Sequence, residues 1–425
     1  MVKIGIIGVG TVGASVANIL EANADIIEAR AGKRIVVKKG IVKNLSKDRG
    51  VSITLSDDPM DVINDPEIDI VVELMGGVDE AYDLVKKALK KGKAVVTANK
   101  ALLAYHRYEL QTIAGDIPLM YEASTAGGIP VIGALRNGLT ANHIESIKGI
   151  MNGTCNYMLT KMINEGAQYD EILKEAQELG YAEADPTFDV GGFDASHKLL
   201  ILASIAYGID AKPEDILIEG IENITQTDVA FAKEFGYEIK LLGIAKKVKD
   251  DEGNDGVELR VHATKIPQES MIAKVDGVMN AVTVVGDYVG ETMYYGAGAG
   301  GDATASAVIS DIIDIVRGNH GPMLGYKKGL ESGLRLLSKD EIETQYYIRL
   351  EVDDKSGALA TITSALGEFG ISIESMLQKP TDSEDIAKLL FTTHMCKENK
   401  MQEAIDVLAE LEVVHGNLAM MRIEK

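Results

Sequence analysis

The chain has 425 residues, of which 46% are hydrophobic and 25% charged, proportions that are ordinary for a globular protein. At roughly 150 residues per domain, this length predicts about three domains. Acidic residues outnumber basic ones, 65 to 43, and the formal net charge is -22. This charge argues against nonspecific binding of nucleic acid or of an anionic membrane, because both require a basic face.

The cysteines and the hydropathy pattern bear on the cellular compartment. Cys155 and Cys396 cannot build a disulfide framework, which is typical of proteins from a reducing compartment. No run of about 18 uncharged apolar residues occurs, so no membrane span is expected. The apolar run at the N-terminus is too short for a signal peptide. We therefore expect a cytoplasmic protein.

Strands and helices alternate over residues 1–130, which predicts a doubly wound, Rossmann-like parallel sheet. The predicted strands are 2–7, 35–42, 69–74, 94–98 and 120–122. The predicted helices are 11–20 and 80–90. Residues 302–320, which include an apolar helix over 303–316, are expected to pack back onto this domain.

The pattern changes after residue 130. Residues 131–301 combine a strand at 144–150 and helices at 155–164, 170–179 and 194–207 with strand-like pieces over 236–295. This mixture predicts an α+β domain. Residues 321–344 are interpreted as a linker. Residues 345–425 follow the order strand, helix, strand, strand, helix, strand, which predicts a ferredoxin-like βαββαβ module.

The first strand is followed by a glycine-rich turn that opens a helix. Its glycines are Gly8, Gly10 and Gly13, with Thr11 and Val12 at the start of the helix. This spacing permits a tight turn, close approach of the backbone to a pyrophosphate, and close packing of the helix on the strand. The helix N-terminus favours phosphate. The segment therefore predicts a dinucleotide site, and the alternative is a tight turn alone.

The end of the second strand bears on the choice between NAD and NADP. Chains that prefer NAD usually carry an acid there, which binds the ribose 2′-hydroxyl. Here Lys43, Lys47 and Arg49 follow the strand without an acid at its end. Such a cluster suits a 2′-phosphate, so we expect a preference for NADP(H), with NAD(H) as a second cofactor. The alternative is an ordinary solvated loop.

Residues 180–198 concentrate acids, glycines and a lysine between two predicted helices. Asp194 and Lys198 stand four residues apart and share a face of the second helix. That helix continues with Leu199-Leu200-Ile201-Leu202-Ala203, which predicts that it is buried. Charges at the mouth of a buried helix need partners, so this cluster is a candidate site. A surface ion pair is the alternative.

Three further segments carry polar groups to the ends of predicted strands. Lys100 follows the strand at 94–98, at the edge of the sheet where ligands bind in open α/β folds. Residues 152–157 combine small polar residues with Cys155 at a helix N-terminus, where a thiolate would be stabilised. Residues 295–302 form a glycine-rich loop before a helix. The alternatives are a solvated lysine, a buried inert cysteine and a flexible turn.

Taken together and in this order, these segments resemble the homoserine dehydrogenase family. The glycine loop, Thr97-Ala98-Asn99-Lys100, Asn152-Gly153-Thr154 and the glycine-rich loop at 296–300 all match its pattern. The longest match has no gap and consists of Ala176, Gly180, Asp185-Pro186, Asp189, Gly192, Asp194 and Lys198. The resemblance covers residues 1 to about 320.

The resemblance implies an NAD(P)-dependent oxidoreductase that interconverts L-homoserine and L-aspartate 4-semialdehyde in threonine, methionine and isoleucine biosynthesis. It implies that residues 131–301 bind substrate and form a homodimer or a higher homo-oligomer. The implied catalytic residues are Lys198 as the proton donor and base, Asp194 and Lys100. The implied substrate-binding residues are Glu183, Asp189, Asp194, Thr154 and Tyr181. The implied cofactor-binding residues, besides the glycine loop and basic cluster, are Thr97, Lys100, Gly180 and Gly300.

The resemblance also implies a monovalent cation site, usually sodium, built largely from backbone carbonyls. The matching positions are Glu122, Thr125, Gly127 and Ile129. One departure concerns Lys43, where many relatives have arginine. Because lysine cannot bind a phosphate through two parallel hydrogen bonds, the selectivity for NADP is expected to be weaker here.

The C-terminal module resembles an ACT domain, through residues 350–360 and 370–373. This resemblance implies regulation by an amino acid, usually L-threonine, and the alternative is a module kept only for dimer contacts. Two other functions remain open from the residues alone. One is an acylating semialdehyde dehydrogenase with Cys155 as nucleophile. The other is a non-catalytic amino-acid sensor, against which the presence of Lys100, Asp194 and Lys198 argues.

Overall fold

The computed structural model describes residues 1–328, 334–381 and 385–425. Parts of the predicted linker (329–333) and of the C-terminal module (382–384) lie outside the described residues. The strands in chain order are β1 (Val2–Ile7), β2 (Ile35–Ile41), β3 (Thr54–Ser56), β4 (Ile70–Glu73), β5 (Ala94–Thr97), β6 (Leu119–Met120), β7 (Ile144–Ile150), β8 (Leu217–Ile218), β9 (Tyr237–Lys249), β10 (Asp255–Pro267), β11 (Met279–Gly286), β12 (Gly290–Ala297), β13 (Arg335–Leu336), β14 (Glu343–Asp353), β15 (Ile373–Pro380), β16 (Ile386–Thr393), β17 (Cys396–Lys397) and β18 (Val414–Ile423).

The helices in chain order are α1 (Thr11–Ala22), α2 (Ala24–Ala31), α3 (Met60–Ile63), α4 (Asp79–Lys90), α5 (Lys100–Ala114), α6 (Val131–Gly133), α7 (Gly153–Glu165), α8 (Tyr169–Glu178), α9 (Thr187–Val190), α10 (Phe193–Tyr207), α11 (Gln226–Glu234), α12 (Gly301–Arg317), α13 (Ala358–Glu368) and α14 (Glu398–Ala409). A π-helical turn, Ala134–Gly138, follows α6, and short 3-10 turns occur at Glu122–Ser124, Pro213–Asp215, Ile272–Lys274 and Lys339–Glu341. In the described ranges, none of the helices combines the length and apolar character that a bilayer span requires.

The chain divides into two compact units. The first comprises Met1–Gly153, Ser196–Pro213 and Val278–Leu334, and the second comprises Thr154–Ala195, Glu214–Gly277 and Arg335–Lys425. Both units are therefore built from separated stretches of chain, and helix α10 contributes residues to each of them.

The first unit contains the predicted parallel sheet, with strand order β3-β2-β1-β4-β5-β6. Its central strands are short apolar runs, as expected for a sheet covered on both faces. Ile4, Val72 and Val96 are buried in one core with Val16 of α1 and Ile312 of α12. Helix α12 thus packs on the same core as the N-terminal sheet. This unit also contains three antiparallel strands that pair in the order β12-β11-β7.

Helix α5 was not predicted, although its sequence carries the signal. Leu103, Arg107, Leu110 and Ala114 recur at helical spacing and are buried. Asn99 caps the helix, since its side-chain oxygen accepts a hydrogen bond from the Leu102 amide at 3.0 Å. This helix starts directly beyond β5 and fixes the position of Lys100.

The second unit is organised around a long antiparallel hairpin of β9 and β10. Strands β8, β13 and β18 each pair in parallel with β10. The C-terminal module has the order β14-α13-β15-β16-α14-β18, with the short strand β17 at the edge of β14. Its core includes Ile348, Leu350, Ile362, Phe391 and Met401. The parallel N-terminal sheet and this βαββαβ module confirm the predicted fold class.

Candidate functional site

The glycine loop of the first unit has the geometry of a phosphate cradle. Gly8 has φ +103°, and a Cβ there would lie 2.6 Å from the Leu74 carbonyl oxygen. A Cβ on Gly13 would lie 2.4 Å from the Gly8 carbonyl oxygen, so both positions require glycine. At Gly10, by contrast, an ideal Cβ would meet no atom within 4 Å from described residues beyond its neighbours in the chain and in helix α1. The loop therefore closes on itself at Gly8 and Gly13 and leaves an open approach at Gly10.

Helix α1 begins at this open position. Gly10 is its N-cap, no side chain in the described ranges caps it, and its first turn contains no acid. Its leading amides and positive end suit a phosphate. The second glycine-rich loop lies beside it, because a Cβ on Gly301 would be 3.0 Å from Thr11 Cγ2. Gly300, with φ +123°, lies at the start of α12. Two of the predicted cofactor-binding segments therefore meet.

The carboxyl ends of β4 and β5 carry a buried polar cluster. Glu73 is fully buried, and its carboxylate accepts hydrogen bonds from the Thr97 hydroxyl at 2.5 Å and from the Met75 amide at 2.8 Å. The Asn99 amide donates to Thr97 Oγ1 at 3.0 Å. Thr97, predicted to bind cofactor, therefore holds the two strand ends together. Lys100 follows as the first residue of α5.

Lys198 lies on helix α10, one turn after Asp194. Its ammonium donates a hydrogen bond to the Met151 carbonyl at 2.7 Å, at the end of β7. Asp194 is only 3% exposed, and the following residues Leu199 and Leu200 are fully buried. The helix is thus apolar and buried, as predicted, and its first two turns carry the charged pair.

Asn280 is a site candidate that the sequence analysis missed. It is 1% exposed, and neither its Oδ1 nor its Nδ2 has a hydrogen-bond partner in the described part of the chain. A Cβ on Gly298 would lie 2.1 Å from Asn280 Cγ, and a Cβ on Gly153 would lie 3.6 Å from its Oδ1. The adjacent residue Ala281 pairs with Ile150, directly before Met151. Asn280 therefore joins the glycine-rich loop to the strand end that receives Lys198. The available signal was a polar residue at the second position of the mostly apolar strand β11.

The second unit holds the loop of acids between α8 and α10. Thr154 donates its hydroxyl to the Tyr181 carbonyl at 2.6 Å, and the Tyr181 ring lies edge-on to Tyr157. Glu183 is exposed and Asp189 is half-buried. Cys155 is fully buried, and its thiol donates to the Asp189 carbonyl at 3.2 Å. Thr154 and Cys155 therefore hold the loop, and Cys155 lacks the exposure that a catalytic nucleophile requires.

The basic cluster and the predicted cation ligands lie in the first unit. The Lys43 side chain is 88% exposed, with its ammonium 4.0 Å from a Glu80 carboxylate oxygen. The Glu122 carboxylate accepts the amides of Ile132 at 2.8 Å and Gly133 at 2.6 Å, so it caps α6. Within the described ranges, no group of three or more His, Cys, Asp or Glu side chains is arranged to hold a metal.

Backbone geometry sets the predicted cation segment apart. Ala126 and Gly127 are consecutive residues with positive φ, +56° and +58°. The Thr125 hydroxyl is buried and has no hydrogen-bond partner in the described part of the chain. A Cβ on Gly127 would lie 2.6 Å from the Gly298 carbonyl oxygen, so the segment lies against the glycine-rich loop.

Comparison with known proteins decides the family. A model described as "Homoserine dehydrogenase" matches residues 130–313, one described as "Homoserine dehydrogenase, NAD binding domain" matches residues 8–115, and one described as "ACT domain" matches residues 346–413. The homoserine dehydrogenase of Helicobacter pylori is 54% identical over 422 residues, covering 99% of each chain. The chain belongs to the homoserine dehydrogenase family.

Other relatives and solved structures agree. The homoserine dehydrogenase of Bacillus subtilis is 38% identical and covers 100% of this chain and 98% of its own. The crystal structure of a homoserine dehydrogenase from Thiobacillus denitrificans has a TM-score of 0.93 at 44% identity, covering 100% of this chain and 98% of that one. A hyperthermophilic archaeal homoserine dehydrogenase in complex with NADPH has a TM-score of 0.62 at 27% identity, covering 77% and 99%.

The predicted function is therefore confirmed at the level of the reaction. The enzyme is an NAD(P)-dependent oxidoreductase that acts on the CH–OH group of homoserine, and it carries an ACT domain. Neither alternative function is supported, because the relatives are dehydrogenases over their full length and Cys155 is fully buried.

Burial of Glu73 makes the stability of the cofactor domain depend on pH. Burial raises the pKa of this carboxyl from 4.5 to about 7, against the opposing hydrogen bonds from Thr97 and Met75. The folded state therefore holds the proton more tightly than the unfolded state does. Stability contributed by the protonated group is complete below about pH 4.5 and is lost as the pH rises towards about 7.

We predict that Glu73→Gln removes this loss, because the amide cannot ionise. At about 1.4 kcal/mol per pKa unit, the variant should gain up to about 3 kcal/mol over wild type between pH 5 and pH 8. The measurement is the thermal unfolding midpoint of both proteins across this range. Glu21→Gln, on the exposed face of α1, controls for the loss of one negative charge. A difference between Glu73→Gln and wild type that stays constant with pH would contradict the prediction.

Proposed function

We propose that Lys198 is the proton donor when this homoserine dehydrogenase reduces L-aspartate 4-semialdehyde, and the base when it oxidises L-homoserine. The observation that carries the proposal is the ammonium of Lys198 at the Met151 carbonyl, on a buried apolar helix. An ammonium carries three N–H groups, and the Met151 carbonyl accepts one of them. The nicotinamide cofactor supplies the hydride when bound, and the chain supplies the proton and the positions.

Asp194 is proposed to orient Lys198 and the substrate hydroxyl, since it stands one turn away on the same helix. Glu183 and Asp189 are proposed to bind the substrate ammonium, because carboxylates suit that charge and Glu183 is exposed. Tyr181 of the same loop, and Thr154 at the start of α7, which is hydrogen-bonded to it, are proposed to contact substrate. Lys100 is proposed to lie where cofactor and substrate meet, which its place beyond β5 supports.

We predict that Lys198→Met lowers kcat by about 10² to 10⁴, the usual contribution of general acid–base catalysis. NADPH should still bind with the wild-type dissociation constant, measured by fluorescence titration. Lys174→Met, whose side chain in wild type is 78% exposed on α8, is the matched control and should keep wild-type kcat. Wild-type turnover in Lys198→Met would refute the assignment.

The enzyme is further proposed to prefer NADP(H). The glycine cradle fits a pyrophosphate, because Gly8 and Gly13 admit no Cβ while Gly10 faces open space. The pyrophosphate would lie at the start of α1, and Gly180 and Gly300 would face the nicotinamide end. Lys43, Lys47 and Arg49 would hold the 2′-phosphate, which the exposure of Lys43 supports.

We predict a lower KM for NADP than for NAD. Lys43→Gln should raise the KM for NADP about fivefold, equivalent to about 1 kcal/mol for an exposed charge pair, without changing the KM for NAD. Lys33→Gln, an exposed lysine of the same domain, should change neither constant. A wild-type enzyme with the lower KM for NAD would refute the proposed preference.

A sodium ion is proposed to bind the carbonyl oxygens of Glu122, Thr125, Gly127 and Ile129. Hard oxygen ligands suit such a cation, and the orphaned Thr125 hydroxyl and the left-handed turn support the fit. The Glu122 carboxylate is engaged in capping α6, so the carbonyl of this residue is the proposed ligand. Exchange of sodium for choline at constant ionic strength should lower the thermal unfolding midpoint, and an unchanged midpoint would argue against the site.

We further propose domain boundaries at residues 130, 301, 320 and 344, a homodimer or higher homo-oligomer, and the cytoplasm as the working compartment. Cys155 and Cys396 do not form a disulfide with each other, which supports a reducing compartment. L-threonine is the proposed effector of the C-terminal module. Gly357, with φ +98°, is an N-cap without a capping side chain in the described part of the chain, which suits a carboxylate at α13. Light scattering with and without L-threonine measures the oligomer and its response.

A further inference from the structure

The C-terminal module shares a sheet with the β9–β10 hairpin inside the second unit. Strand β18 pairs in parallel with β10, with Thr264 opposite Arg422 and Lys265 opposite Ile423. The Glu424 amide donates to the Lys265 carbonyl at 3.0 Å. Because backbone hydrogen bonds join the two parts, a shift of β18 acts directly on β10.

Arg422 adds a second, ionic connection. It is fully buried, and its two terminal nitrogens donate to the two oxygens of Glu219 at 2.6 and 2.8 Å. Its Nε donates to Glu398 at 2.8 Å, and Glu398, the first residue of α14, also accepts the Tyr346 hydroxyl at 2.7 Å. A buried guanidinium with two carboxylates is strongly directional. Arg422 therefore ties a core helix of the module to Glu219, which lies outside the module.

Glu219 leads directly to the loop of acids. Its amide donates to the Val261 carbonyl on β10 at 2.8 Å, which fixes its backbone. Two residues later the Ile221 amide donates to the Val190 carbonyl at 3.0 Å. A Cβ on Gly220 would lie 2.4 Å from the same Val190 oxygen, so the two segments are in close backbone contact.

The contacted end of the loop carries a proposed substrate ligand. Val190 ends helix α9 and directly follows Asp189. Gly192, with φ +86°, packs beside the same segment, since a Cβ there would lie 3.4 Å from the Glu219 carbonyl oxygen. Any displacement of residues 219–221 must therefore be taken up by α9 and the turn that follows it.

We propose that Glu219 is a positioning residue that transmits the state of the C-terminal module to the substrate-binding loop. Arg422 binds the Glu219 carboxylate. The hydrogen bond from the Ile221 amide to the Val190 carbonyl links the backbone of this segment to α9. An amino acid that binds the module and shifts α14 or β18 would move this connection and so change the affinity for substrate. This inference rests on the proposed role of the acid loop in binding the substrate ammonium.

The test compares full-length Glu219→Gln with wild type. Glutamine has nearly the same shape as glutamate but lacks the negative charge that binds the two terminal nitrogens of Arg422. We expect the KM for L-homoserine to rise about fivefold or more, the low end of coupling between sites. Neither kcat nor the KM for NADP should change by more than about twofold, because the proton donor and the glycine cradle are untouched. Hydrogen exchange of the peptide covering residues 187–192 should become faster.

Three further variants separate positioning from general destabilisation. Glu219→Asp keeps the charge and should recover most of the wild-type KM for L-homoserine. Gly220→Ala pushes on the Val190 carbonyl without touching Arg422 and should raise that KM as Glu219→Gln does. Asp251→Asn is the matched control, because Asp251 forms an ion pair with Lys397 of the module yet is 78% exposed. It should leave both KM values and the exchange of the loop unchanged.

Unchanged exchange of the loop in Glu219→Gln would overturn the inference whatever happens to KM. Faster exchange with an unchanged KM would overturn it as well. Asp189→Asn distinguishes this failure from failure of the proposed function. If Asp189→Asn also leaves the KM for L-homoserine unchanged, then the assignment of the loop to the substrate ammonium is wrong.

Discussion

The burial of helix α10 is the constraint on which the candidate site depends. Residues Leu199 and Leu200 are inaccessible to solvent, and this fixes the helix as a rigid support. Its first two turns carry Asp194 and Lys198, and the Lys198 ammonium has a defined hydrogen bond to the end of β7. Charged groups on a packed helix are held more accurately than groups on a loop, which is what proton transfer requires. The glycine-rich loop lies beside the same strand end, because Gly298 and Gly153 both approach the Asn280 side chain closely.

The features that sequence could predict are those encoded locally. The spacing of Gly8, Gly10 and Gly13 reflects short contacts within one turn, and the apolar run after Lys198 identifies a buried helix. The βαββαβ order of the C-terminal module is likewise legible from element order. Helix α5 was not predicted, although its buried residues recur at helical spacing. The sequence therefore carried enough information to predict this helix.

Other features depend on contacts between residues that are far apart in the chain. The buried Glu73 carboxyl depends on Thr97, and the Arg422 fork depends on Glu219, 203 positions away. Asn280 becomes notable only when Gly153 and Gly298 come together around it. In the sequence, each of these residues is an ordinary polar residue. Which of them are buried, and which partners they have, depends on the tertiary structure. The net charge of -22 similarly argues against polyanionic partners but does not locate the few functional cations.

The proposed mechanism depends above all on proton exchange between Lys198 and the substrate oxygen. The most direct measurement is a crystal structure of the full-length enzyme with NADP⁺ and L-homoserine bound. We expect the homoserine hydroxyl oxygen about 2.6 to 3.2 Å from the Lys198 ammonium nitrogen, the range for proton transfer. A complex in which that hydroxyl contacts another titratable side chain, with Lys198 beyond hydrogen-bond distance, would contradict it.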